Sequence, residues 1–152
     1  DPAGRAALAG RLSLDLPPRR YVRAPAQPLP TGPGIAAPAG AAGLIVCCQY
    51  LDLPPGRYRA VFQLETAPNP GPGVIASADV AAGGGRAVLA RAEAGGPGDL
   101  VLPFSLAAPA GGVELRLSTS GRAALTVLAS RLERLDGAEA QKKSSAAVGV
   151  IW

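Results

Sequence analysis

The feature that most constrains this chain is a strict two-residue alternation of apolar and polar side chains, clearest between residues 57 and 65. Tyr58, Ala60, Phe62 and Leu64 alternate with Arg57, Arg59, Gln63 and Glu65, and Val61 is the one apolar residue out of phase. Successive side chains of an extended chain point to opposite faces, so this period puts one face in a core and the other in water. A surface helix needs apolar residues every three to four positions, and no segment keeps that rhythm.

The same alternation recurs between breaks rich in glycine and proline. Leu12, Leu14 and Leu16 alternate with Ser13 and Asp15 before Pro17-Pro18. The apolar run Leu44 to Leu53, bearing Gln49, Tyr50 and Asp52, reads as one strand ending in the turn Leu53-Pro54-Pro55-Gly56. There proline pre-sets φ and glycine permits a positive one. Val74 to Ala82 and Arg86 to Ala94 flank Gly83-Gly84-Gly85, which predicts a hairpin. Leu100, Leu102, Phe104 and Leu106 form another apolar face, and Pro103 inside it requires an edge position or a bulge. Val113, Leu115 and Leu117 alternate with Glu114, Arg116 and Ser118. After Ser120-Gly121-Arg122, the last segment, Ala123 to Leu135, changes phase between Val127 and Ser130, as a bulge would cause. Such a series of about eight short strands predicts an all-β domain, a sandwich or a barrel.

A chain of 152 residues accommodates one domain with one core. The expected organisation is a Pro/Gly-rich lead-in over 1–42 with one short strand, packed on the sandwich. A β core over 43–136 follows, then a polar linker and short apolar tail over 137–152. Starting at Asp1 without Met or a signal-peptide pattern, the chain reads as a processed product or a module cut from a longer protein. No run approaches the ~20 apolar residues of a membrane span. The bias to Arg over Lys, with abundant Ala, Gly and Pro, reads as GC-rich, bacterial coding.

The net charge of +4 does not predict a nucleic-acid partner. Phosphate-binding surfaces cluster their cations and interleave aromatics for stacking. Here no basic run exceeds Arg19-Arg20 or Lys142-Lys143, and aromatics make up 4%. Cys47 and Cys48 are adjacent. On a regular strand their side chains would face opposite ways, so two reduced thiols, one of them buried, are expected, with a vicinal disulfide the uncommon alternative.

Most catalytic constellations are excluded. The chain has no His, hence no Ser-His-Asp or Cys-His nucleophile system. It has no C-x-x-C pair and no P-loop, and Gly83-Gly84-Gly85 joins two strands with no following helix. Glu65, Asp79 and Glu114 fall on polar strand faces, where two carboxylates could approach as in a glycosidase. Isolated acids on such faces are usually solvated surface, so no enzyme is expected.

The succession Leu53-Pro54-Pro55-Gly56-Arg57-Tyr58-Arg59-Ala60-Val61-Phe62 resembles the galactose-binding-like jelly-roll domains, in which an apolar strand, a Pro-Gly turn and a "GRYR-x-x-F" strand follow one another. The later order is similar too: Ala78-Asp79-Val80, Arg86 to Ala90, Leu102-Pro103-Phe104, Val113 to Arg116 and the closing Leu125 to Leu135. The resemblance covers residues 43–136 and implies an antiparallel jelly-roll β-sandwich. Many such domains are carbohydrate-binding modules attached to glycan-active enzymes. Others are structural or protein-interaction modules.

The resemblance therefore implies a non-catalytic carbohydrate-binding accessory module with a glycan or polysaccharide as partner, extracellular or at the cell surface. Sugar rings stack on exposed aromatics. Tyr58, Phe62 and Phe104 are assigned to the core, which leaves Tyr21, Tyr50 and Trp152. The expected binding residues are Tyr50, Arg57, Arg59, Gln63, Glu65, Glu114 and Arg116, read as one polar face whose planar Arg and amide groups suit hydroxyls and carboxylates. No cofactor is expected beyond the structural calcium that related modules often carry, for which Asp136 is the one nameable ligand. The alternative is a structural or assembly module, binding a protein partner or itself through sheet edges and the tail Ala146 to Trp152.

Overall fold

The computed structural model describes residues 13–68 and 70–135. The expectations for the linker, for Asp136 and for the tail with Trp152 lie outside these residues. Among the described residues there is no α-helix, only a 3-10 turn over Pro18–Tyr21, and no helix long and apolar enough to cross a membrane.

Among the described residues, eleven strands form two antiparallel sheets: β1 (Ser13–Asp15), β2 (Gln27–Pro28), β3 (Ile35–Ala37), β4 (Gly43–Val46), β5 (Leu51–Leu53), β6 (Gly56–Thr66), β7 (Ala76–Ala82), β8 (Ala87–Ala94), β9 (Gly98–Leu106), β10 (Ala110–Thr119) and β11 (Leu125–Arg134). The first sheet runs β2-β3-β11-β6-β9, with β1 also on β11, and the second runs β4-β10-β7-β8, with β5 also on β10. The two sheets enclose one core and make a β-sandwich of the expected kind.

The strand count exceeds eight for two reasons. The lead-in, expected to hold one short strand, also contributes β2 and β3, and β3 pairs with β11 from Leu125↔Ala37 to Val127↔Ile35. The run Leu44 to Leu53 is not one strand but two, broken at residues 47–50. Cys48 and Tyr50 there take positive φ, at 75° and 52°. For residues other than glycine that region is sparsely populated, and a pleated strand cannot pass through it.

The core follows the alternation. Tyr58, Ala60, Phe62 and Leu64 are buried, and Tyr58 stacks on its cross-strand partner Phe104 with ring centroids 5.2 Å apart. The Tyr58 hydroxyl donates to the Pro54 carbonyl at 2.5 Å, which satisfies the polar end of a ring otherwise in the core. Each fully buried Leu, Ile or Phe contributes about 1.5–3 kcal/mol, so the Leu and Ile side chains in the same core cluster carry much of the stability. Val61 is buried as well but faces outward, apart from the core cluster, between its cross-strand partners Arg131 and Val101.

Two irregularities read from sequence are present. β11 slips register between Val127 and Ala129, and Pro103 lies on β9, the edge strand of the first sheet. The hairpin through Gly83-Gly84-Gly85 joins β7 to β8.

Candidate functional site

The outer face of the second sheet carries polar rows that register creates. Arg116 of β10 pairs with Asp79 of β7, which pairs with Arg91 of β8. One step along, Ser118 pairs with Ser77 and Ser77 with Glu93, while Leu44 of β4 lies on the other side of Ser118. These residues line a trough of about 430 Å³. Leu44, 38% exposed, and Ala78 are its apolar residues, and the other side chains supply guanidinium, carboxylate and hydroxyl groups.

The trough's charges are ordered. The Arg116 guanidinium donates from Nε to Asp79 Oδ1 at 2.6 Å and from Nη2 to Asp79 Oδ2 at 2.8 Å. This two-pronged hydrogen bond holds Arg116 firmly protonated, above its ordinary range, against the opposing effect of burial. Arg91 and Glu93 are exposed on the edge strand β8.

Beside the trough, the break between β4 and β5 is closed by side chains. Gln49, 2% exposed, donates from Nε2 to the Leu115 carbonyl at 3.0 Å and accepts from the Leu115 N–H at 2.9 Å. Glu114, 6% exposed, accepts from the Cys48 N–H at 3.0 Å. Cys47 and Cys48 are joined as a vicinal disulfide. The expected pair of reduced thiols is therefore corrected: the argument assumed a regular strand, and the positive φ of Cys48 removes the alternation that would have held the sulfurs apart. Among the described residues these two sulfurs and Glu114 are the one cluster of three potential metal ligands. Two sulfurs and a carboxylate are not the cage of about six to eight oxygens that calcium takes.

The residues expected to form a single polar face are divided between opposite sides of the sandwich. Arg57, Arg59, Gln63 and Glu65 belong to β6 and alternate outward on the first sheet, whereas Glu114 and Arg116 belong to β10 on the second. One ligand cannot contact both sets, because the core lies between them. Arg59 is bound instead to Glu133, which also accepts from Arg131 at 2.8 Å. Tyr50 is 46% exposed in the break between β4 and β5 but does not line the trough. Of the three acids considered for catalysis, Glu65 is on the far sheet and Asp79 is engaged by Arg116. Leu44, Ser77, Arg91, Glu93 and Ser118 were missed. Each sits at an outward position of its strand, but only the order β4-β10-β7-β8 shows that these positions adjoin.

No protein-family model and no curated protein matches the sequence. Among solved structures the chain is similar to the C-terminal CBM6 of LamC, a marine laminarinase from Zobellia galactanivorans, with a TM-score of 0.50 and 14% identity over 80% of this chain and 99% of that one. At that identity the likeness is one of fold. The chain shares with that module a two-sheet, antiparallel β-sandwich architecture.

Proposed function

We propose that the chain is a non-catalytic carbohydrate-binding module that holds its glycan in the trough on the second sheet. The observation carrying this reading is the trough's composition: the Arg116–Asp79–Arg91 row, the Ser118–Ser77–Glu93 row and Leu44 around about 430 Å³. Pockets of about 300–1,000 Å³ suit small ligands, and carboxylates, guanidinium groups and hydroxyls together can donate to and accept from sugar hydroxyls. Leu44 offers an apolar contact for the C–H side of a ring. The fold likeness to a carbohydrate-binding module supports the same class. An extracellular or cell-surface location accords with this reading and with a disulfide, which persists in oxidising compartments.

The test is an array of neutral and acidic glycans probed with the full chain, with and without calcium, followed by titration calorimetry on any hit. Arg91→Ala should weaken binding about tenfold or more, the loss expected for a charged hydrogen-bonding partner. Arg59→Ala, on the opposite sheet, should leave it within twofold. A blank array, or a hit abolished by Arg59→Ala and untouched by Arg91→Ala, would sink the trough as the site.

Assembly is the second reading. Its support is β8, an edge strand whose outer side has no strand partner among the described residues and which carries Val88, 46% exposed. Concentration-dependent light scattering separates it from the first, since a chain monomeric at high concentration does not assemble through that edge.

A further inference from the structure

We infer that Cys47, Cys48 and Glu114 form a redox-gated site for a soft divalent cation, closed while the cysteines are paired and opened when a thiol reductant parts them. The inference is independent of the glycan reading and begins with backbone geometry. The positive φ of Cys48 turns two adjacent side chains to one side, and the Glu114 carboxylate is brought to the same place from β10. The two Sγ atoms and a Glu114 oxygen all lie within 4.8 Å of one another. Around a tetrahedral zinc, bond lengths of about 2.0–2.3 Å set donor–donor spacings of about 3.5–3.8 Å, within reach of modest side-chain rotation.

Neighbouring groups are arranged as such a site requires. The Cys48 N–H binds Glu114 Oε1 at 3.0 Å, which orients the carboxylate and leaves Oε2 for a cation. Arg23 directs Nη1 at Cys47 Sγ at 3.9 Å, so a permanent cation stands where a thiolate would form. Two thiolates and a carboxylate carry three negative charges. A divalent cation leaves one, which the Arg23 guanidinium balances. Thiolate donors select soft or borderline cations such as Zn2+ and Cd2+ over calcium. Cys47 is buried, but Cys48 is partly exposed and offers a sulfur to an incoming thiol.

Opening proceeds by thiol–disulfide exchange. One small-molecule thiol, as its thiolate, attacks a cysteine sulfur and breaks the S–S bond, leaving a mixed disulfide and one cysteine thiol. A second small-molecule thiol attacks the mixed disulfide, so both cysteines end reduced and the two reductant molecules leave as their own disulfide. The cation then displaces two thiol protons to solvent and binds both sulfurs and Glu114.

The experiment uses the full chain and Cd2+, whose thiolate complexes absorb in the ultraviolet by charge transfer. Protein is either left oxidised or reduced with a phosphine, desalted without oxygen and titrated with Cd2+ alongside a circular dichroism melt. The expected result is a charge-transfer band that saturates at one Cd2+ per reduced chain and is absent from the oxidised chain. Glu114→Gln should weaken the reduced site more than tenfold, since loss even of partners outside the ligand set costs about 10–100-fold. Cys48→Ser should abolish the band. Both variants are read below their melting transitions, so unfolding cannot imitate loss of a ligand. Equal binding by the oxidised and reduced chains, no band after reduction, or an unchanged affinity in Glu114→Gln would each overturn the inference.

Discussion

Gln49 acts as a strand neighbour for Leu115: its side-chain amide donates to the Leu115 carbonyl at 3.0 Å and accepts from the Leu115 N–H at 2.9 Å, reproducing the two hydrogen bonds a β partner would supply. β4 pairs with β10 at Leu117 to Thr119, and β5 pairs with it at Ala110 and Val113. Leu115 lies in the gap between them. The irregular backbone over 47–50 can thus exist beside a buried strand without leaving that strand's polar groups unpaired.

Gln49→Leu follows directly. The substitution keeps the bulk, removes both hydrogen bonds and leaves a buried N–H and C=O without partners, at about 1–3 kcal/mol for each unsatisfied group. The expected loss is about 2–6 kcal/mol, seen in urea unfolding as a lower midpoint with an unchanged slope. A loss below about 0.5 kcal/mol would mean that water or backbone movement replaces the amide.

The Arg116–Asp79 pair is coupled but only moderately stabilising. Its side chains are 27% and 18% exposed, so the two-pronged geometry helps while solvent screens the charge. A double-mutant cycle with Arg116→Met and Asp79→Asn should give a coupling of about 0.5–1.5 kcal/mol. If the pair also orders the trough, either single variant weakens glycan retention more than it lowers the melting temperature would suggest.

Glu133 on the opposite sheet gives a pH prediction. Its hydrogen bonds with Arg131 and with Arg59 hold its carboxyl below the ordinary 4.5, although burial pushes the other way. Because the folded state favours the ionised form, the contribution is fully present above about pH 4.5 and is lost as the pH falls through the lower folded value. Arg59 is 45% exposed and Glu133 20%, so the amount is small, at most about 1 kcal/mol. Thermal melts of the wild type and Glu133→Gln should differ at pH 7 and converge toward pH 3. A difference that widened on acidification would contradict the assignment.

The fold was legible wherever a residue's role depends on its own strand. Pro103 announced an edge because proline lacks a donor, and the phase change after Val127 announced the bulge. The alternation of Tyr58, Ala60, Phe62 and Leu64 announced a buried face. The site was much less legible. Arg59 and Arg116 have the same local pattern, an Arg between apolar neighbours, yet they lie on opposite sheets, and sheet membership is a long-range property. The break at 47–50 was hidden for a related reason. Gln49 inside an apolar run looks like a tolerated polar residue, and only its pairing with Leu115 explains why the strand can stop and resume there.

Gly34 holds the lead-in tightly against β11. Its backbone crosses so close to β11 that an added Cβ would stand 2.9 Å from the Val127 carbonyl oxygen and 2.9 Å from Leu29 Cδ1. The leucine methyl can rotate aside, but the carbonyl belongs to the strand at the bulge and cannot yield without moving the ladder. On the far side, the Leu29 N–H donates to the Gly34 carbonyl at 3.0 Å, joining the crossing to the β2–β3 connection. Gly34→Ala should therefore cost about 1–3 kcal/mol, the usual range for overpacking, and loosen β2 and β3 from β11. Hydrogen exchange should speed at the amides of 35–37 and 125–127 while those of β10 keep their protection. If stability falls but exchange quickens uniformly, the lead-in and the core unfold as one unit, and the crossing is as much a part of the core as β6.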